Sequence, residues 1–123
     1  MAKKVLVIED DKDIRDTLAY VLEEQGYDVT SSEDAKILKS LDQIKPDLIL
    51  LDNWLTEWKS DANGQQISKQ LKSNAATQHI PIVMISAVSN IQEIAEDAHA
   101  DGFLKKPFSL DDIIAVVKKF TDK

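Results

Sequence analysis

Three stretches of the chain are apolar without a break: VLVI at 5–8, LILL at 48–51 and IVMI at 82–85. Each is too short for a stable lone helix and rich in β-branched residues or leucine, so each reads as a strand buried on both faces, the mark of a parallel sheet. Weaker strand candidates are YDVTS at 27–31 and GFLK at 102–105. Between the strands lie segments with helical spacing: Ile14, Leu18, Val21 and Leu22; Ile37, Leu38 and Leu41; Ile67 and Leu71; Ile91, Ile94, Ala95 and Ala98; Ile113, Val116, Val117 and Phe120. Ser or Asp precedes the second and fifth of these, Gly26 follows the first, and Pro46, Pro81 and Pro107 fall outside all of them. Strand and helix alternate five times. Such alternation makes right-handed crossovers, and the expected fold class is α/β, a doubly wound five-stranded parallel sheet covered on both sides.

Residues 1–123 have the length of one ordinary domain, and 43% hydrophobic with 30% charged residues is a globular balance. No apolar stretch approaches the roughly 20 residues that span a bilayer, and the start, MAKKVLVIEDD, has acids directly behind a short apolar patch, unlike a signal peptide. A cytoplasmic protein with no membrane partner is expected. The absence of cysteine fits that compartment and excludes a disulfide scaffold. Net charge is −7 and the lysines are scattered, which argues against direct nucleic-acid binding, since that depends on clustered Lys and Arg. There is no repeat or linker, and the chain stops just after the last helical segment, so no output domain is expected within it.

In open α/β sheets, chemistry sits beyond the carboxyl ends of the strands. Those positions hold Glu9, Asp10 and Asp11 after the first strand, Asp52 after the third, Ser86 after the fourth, and Lys105 and Lys106 after the fifth. Carboxylates about 5 Å apart repel by roughly 3 kcal/mol at an effective dielectric of 20, so the cluster calls for a cation. All-oxygen ligands with room for water and phosphate suit Mg²⁺. Asp11 reads as a helix cap, and His79 and His99 lack a paired base or nucleophile and read as solvated.

VLVIEDD, LILLDNWL, IPIVMISA and GFLKKPF, in that order, make the chain resemble the receiver domain of bacterial two-component response regulators over essentially its whole length, so that residues 1–123 would be one receiver domain. The resemblance implies strand order 2-1-3-4-5, Mg²⁺ dependence and transfer of a phosphoryl group from a sensor histidine kinase or phosphotransfer protein. It puts Asp52 on the phosphoacceptor, Glu9 and Asp10 on the acidic pair, Ser86 on the hydroxyl that binds the phosphoryl group, and Lys106 on the lysine before proline. Magnesium would be held by Glu9 through water, Asp10, Asp52 and the backbone carbonyl of Trp54, and Lys106–Pro107 becomes a candidate cis peptide. Phe103 falls on the aromatic switch position: Ser86 would be drawn inward, Phe103 would follow, and the face of the fourth helix, fifth strand and fifth helix would change. That face would meet a downstream protein effector or a second copy in a phosphorylation-dependent homodimer. Catalysis would be limited to self-phosphorylation and slow dephosphorylation, so the protein is not expected to be an enzyme.

The loop NWLTEWKSDANG departs from the family pattern, with Thr56 in place of a proline and more residues before Gly64. Trp54 and Trp58 could cover the phosphorylation pocket or pack the longer loop. Bulky Trp54 and Val88 beside the site predict slow loss of the phosphoryl group. Two other functions are compatible with parts of the pattern. DNWLT resembles the nucleophile motif of haloacid-dehalogenase-type phosphatases, but Trp54 stands where their second aspartate acts. A receiver-like interaction module that is not phosphorylated is the other.

Overall fold

The computed structural model describes residues 2–33, 35–52, 64–87 and 89–122. Five parallel strands, β1 (Lys4–Ile8), β2 (Asp28–Ser32), β3 (Leu48–Asp52), β4 (Ile82–Ser86) and β5 (Gly102–Lys105), form one sheet in the order β2-β1-β3-β4-β5. The helices are α1 (Lys12–Glu24), α2 (Leu41–Ile44), α3 (Gly64–Ser73), α4 (Ile91–Asp97) and α5 (Leu110–Thr121).

The alternation of side chains along a strand divides the apolar runs between two cores. Leu6, Ile8, Ile49, Leu51, Ile82 and Met84 face Leu41, Ile67, Ile91 and Ala95 of α2, α3 and α4. Val5, Val7, Leu48, Leu50, Val83 and Ile85 face Leu18, Val21 and Leu22 of α1 and Ile113 and Val117 of α5. Every residue of β3 and β4 is buried, which is why those runs show no polar alternation. The edge strands differ. Strand β2 has no fully buried residue, and β5 buries only Leu104.

Helix ends follow local chemistry. The Asp11 carboxylate accepts from the backbone N–H groups of Asp13 and Ile14 and starts α1. Ser109 and Asp112 cap α5 reciprocally, each side chain accepting from the other's backbone N–H. Gly26, at φ 92°, takes the left-handed turn after α1 that a side chain would resist. The expected second helix differs: Ala35–Ser40 is a 3₁₀ segment leading into the single turn of α2, which ends at Lys45 in the left-handed region just before Pro46.

At the amino edge of the sheet, Lys72 of α3 makes a compact junction. Its Nζ lies 2.6 Å from Asp101 Oδ2 and donates to the carbonyls of Ile80 at 2.9 Å and Gln78 at 3.2 Å. Asp101 Oδ2 also accepts from the Ile82 N–H at 2.8 Å. Nearby, the buried Ser68 hydroxyl donates to Ala98 O at 2.9 Å and ties α3 to the end of α4. Gly102 lies under the Phe120 ring, where a Cβ would sit 3.1 Å from a ring carbon.

Candidate functional site

Parallel strands all deliver their carboxyl ends to one rim. Asp52 is the last residue of β3 and Ser86 the last of β4, while Glu9 and Asp10 follow β1 directly. Sheet register brings these ends level: Ile8 pairs with Leu51, Asp52 with Ile85, and Ser86 with Lys105. The Lys106 N–H donates to Ser86 O at 2.9 Å, so the chain beyond β5 is held against the end of β4. The Lys106–Pro107 peptide is cis.

Glu9, Asp10 and Asp52 each offer a carboxylate oxygen, and these oxygens lie within 4.8 Å of one another. Glu9 is fully buried, and Asp52 and Ser86 are 3% and 2% exposed. The Lys106 ammonium reaches into the group, 2.9 Å from Glu9 Oε1 and 3.6 Å from Asp52 Oδ1. Lys105, by contrast, is exposed on the edge strand. Lys106, the lysine that precedes proline, is the one whose ammonium meets the acids.

Among the described residues, one ammonium stands against three carboxylates. Burial pushes the Asp52 carboxyl up to about 9, with further contributions from the hydrogen bond and charge of Glu9 and from Asp10, opposed by Lys106. Burial also works against the Lys106 ammonium, but Glu9, Asp52 and Asp10 outweigh it and raise its pKa. Glu9 Oε1 is buried with no hydrogen bond of good geometry, its partner being the ion pair with Lys106. Oxygens within 4.8 Å of one another can converge on one small cation, and carboxylates alone select a hard one. The donor set therefore fits Mg²⁺.

The loop around this rim is secured on its outer side. Glu9 N–H donates to Ser32 O at 3.0 Å, and Asp11 N–H reaches Glu9 Oε2 at 3.3 Å. Arg15 of α1 donates from Nη1 to Glu9 O at 2.9 Å and, at the longer distance of 3.5 Å, to Asp10 O. No motif in the sequence singles out Arg15. The available signal was its position one helical turn after the cap Asp11, from which a long side chain reaches back over the loop.

Phe103 is 40% exposed on β5, beside a groove that also includes Gln92, Ala95, Val116 and Phe120 between α4 and α5. His79 and His99 are exposed. Trp54, with its carbonyl assigned to the cation, and Thr56, Trp58 and Val88 lie outside the described residues. Among the described residues, no helix is long and apolar enough to cross a membrane.

Comparison with known proteins bears on this rim. The sequence model of the response regulator receiver domain matches residues 5–118. The chain is 36% identical over 121 residues to the phosphate regulon transcriptional regulatory protein PhoB of Escherichia coli (strain K12), a match covering 96% of this chain and 51% of PhoB. It is 34% identical over 118 residues to the DNA-binding dual master transcriptional regulator RpaA of Synechocystis sp., covering 94% and 47%. The crystal structure of the receiver domain of NtrX from Brucella abortus has a TM-score of 0.85 at 32% identity, over 97% of this chain and 98% of that one. The chemotaxis protein CheY4 of Vibrio cholerae shares the fold, with a TM-score of 0.84 at 21% identity over 98% and 99% of the two chains. The chain spans about half the length of the curated relatives it matches. The scattered lysines speak only for these 123 residues, since both of those relatives are named as regulators of transcription.

Proposed function

The chain belongs to the response regulator receiver domain family, and on that premise we propose that it is the phosphoacceptor switch of a two-component phosphorelay. Asp52 takes the phosphoryl group from the phosphohistidine of a sensor kinase or phosphotransfer protein. Its carboxylate oxygen forms the new P–O bond as the P–N bond breaks, and the electron pair of that bond returns to the imidazole nitrogen. The single observation that carries this reading is the meeting of Glu9, Asp10, Asp52 and the Lys106 ammonium at one strand-end rim.

Each side chain has a part that follows from its chemistry. Glu9, Asp10 and Asp52 would hold Mg²⁺ with the Trp54 carbonyl, and the ion supplies charge neutralisation for the transferring group. Lys106 pairs with a phosphoryl oxygen, and the Ser86 hydroxyl donates to another. With the acyl phosphate in place, Lys106 exchanges part of its contact with Glu9 for the new anion. Ser86 is drawn toward it and Phe103, half outside, turns into the space left behind, changing the α4–β5–α5 face that an effector or a second copy reads. Bulky Trp54 and Val88 slow the attack of water, so the phosphorylated form is long-lived. The cytoplasm, where response regulators typically work, is the compartment this reading assigns to it.

Beryllofluoride, which mimics the acyl phosphate, tests the reading. The expected outcome is Mg²⁺-dependent binding followed by NMR shifts at Ser86, Phe103 and Lys106, lost in Asp52→Asn. No binding by the unaltered protein would leave an unphosphorylated interaction module as the better account.

A further inference from the structure

We propose that Arg15 is a positioning residue for the cation site: by clamping the backbone carbonyls of Glu9 and Asp10, it holds two mutually repelling carboxylates on the same rim. The inference rests on the reading of that rim as a Mg²⁺-dependent phosphoacceptor site. Glu9 and Asp10 are consecutive, and in an extended chain consecutive side chains point to opposite sides. Here both reach one cluster with Asp52, so the backbone must leave the strand direction at this point and stay there.

Repulsion among the acids opposes that geometry, since turning one peptide plane would let Asp10 swing away into solvent. Arg15 blocks this route. Its guanidinium is half-buried, donates to Glu9 O at 2.9 Å and lies 3.5 Å from Asp10 O, spanning the two peptide units whose orientation sets where the carboxylates point. The base of the arginine is itself fixed, because Arg15 N–H donates to Asp11 O at 2.9 Å and the Asp11 carboxylate caps the same helix through Asp13 and Ile14. Both contacts are made by one terminal nitrogen, Nη1, whose two N–H groups are held in the guanidinium plane. Among the described residues Arg15 forms no ion pair with a carboxylate, so its action passes through the backbone.

The experiment compares the unaltered protein with Arg15→Ala, Arg15→Lys and Lys12→Ala, measuring the Mg²⁺ dissociation constant by calorimetry and the thermal midpoint in EDTA. Supporting residues around metal ligands typically alter affinity by about 10–100-fold. Arg15→Ala is expected to weaken Mg²⁺ by about tenfold with an EDTA midpoint close to that of the unaltered protein, and Arg15→Lys to recover part of the affinity. Lys12→Ala removes a nearby positive charge that pairs with exposed Asp16 at 2.7 Å and should leave affinity unchanged. Equal affinity in Arg15→Ala and the unaltered protein overturns the proposal, as does a loss shared by Lys12→Ala, which would make bulk charge the cause. A loss that only tracks a falling EDTA midpoint overturns it too. Failure of the unaltered protein to bind Mg²⁺ at all is a different result, and it removes the phosphoacceptor reading along with the clamp.

Discussion

Two lysine–carboxylate junctions sit at opposite edges of the same sheet, and they are built on different terms. At the amino edge, Lys72 meets one carboxylate and two carbonyls, and Asp101 in turn accepts a backbone N–H. Donors and acceptors there nearly cancel. At the carboxyl edge, Lys106 faces the buried Glu9 and Asp52 with Asp10 close by, so among the described residues negative charge outnumbers positive. A junction that balances without help is a fastener, while one that needs a further cation is a binding site. The contrast teaches that charge balance, more than the mere presence of an ion pair, separates the two.

Lys106→Met should produce the largest effect. It leaves Glu9 buried without its counter-charge, and stability measured by urea unfolding in EDTA should fall by about 2–4 kcal/mol. Part of that loss should return on adding Mg²⁺. If Mg²⁺ made no difference, the carboxyl edge would be a second fastener and the contrast would fail.

Asp52→Asn should act in the opposite direction. Below about pH 4 the Asp52 carboxyl is protonated in both folded and unfolded chains. Between its ordinary value of 3.8 and its raised value of about 9, the unfolded chain releases the proton and the folded chain keeps it. Metal-free stability therefore falls as pH rises through that window, and the penalty is complete above it. The asparagine variant should be more stable by about 1–3 kcal/mol at pH 7.5 in EDTA, with the difference vanishing near pH 4. A matched pair of pH–stability curves reads this directly.

Lys72→Met should lower stability by about 1–2 kcal/mol through lost hydrogen bonds, equally with and without Mg²⁺. Any change in Mg²⁺ affinity would show the two edges to be coupled. Gly102→Ala is the mildest test of the amino edge. Its new Cβ meets the Phe120 ring at 3.1 Å, and a loss of about 0.5–1 kcal/mol in thermal unfolding would show how firmly α5 is seated there.

The central strands were readable because burial on both faces leaves no polar residue to interrupt them, as in LILL and IVMI. The edge strands were faint for the converse reason: the exposed residues of DVTSS carry no apolar pattern. The segment around Ile37 and Leu38 was expected to be an ordinary helix, and six residues are too few for spacing alone to separate a 3₁₀ from an α period. At the candidate site, strand ends predicted which acids would gather, and the structure brings Glu9, Asp10 and Asp52 together. Arg15 was not legible because its partners are backbone carbonyls, which leave no trace in side-chain identity, and Lys72 because its carboxylate partner, Asp101, stands far along the chain.

The two outermost strands have a consequence for life at high concentration. Strand β2 offers Asp28 and a run of hydroxyls at its rim, and β5 is only four residues long and ends on the exposed Lys105. Neither margin makes a good template for another molecule's backbone, since charge, brevity and wet side chains all discourage sheet-to-sheet annealing. Pairing of one copy's sheet with another's is disfavoured at both margins.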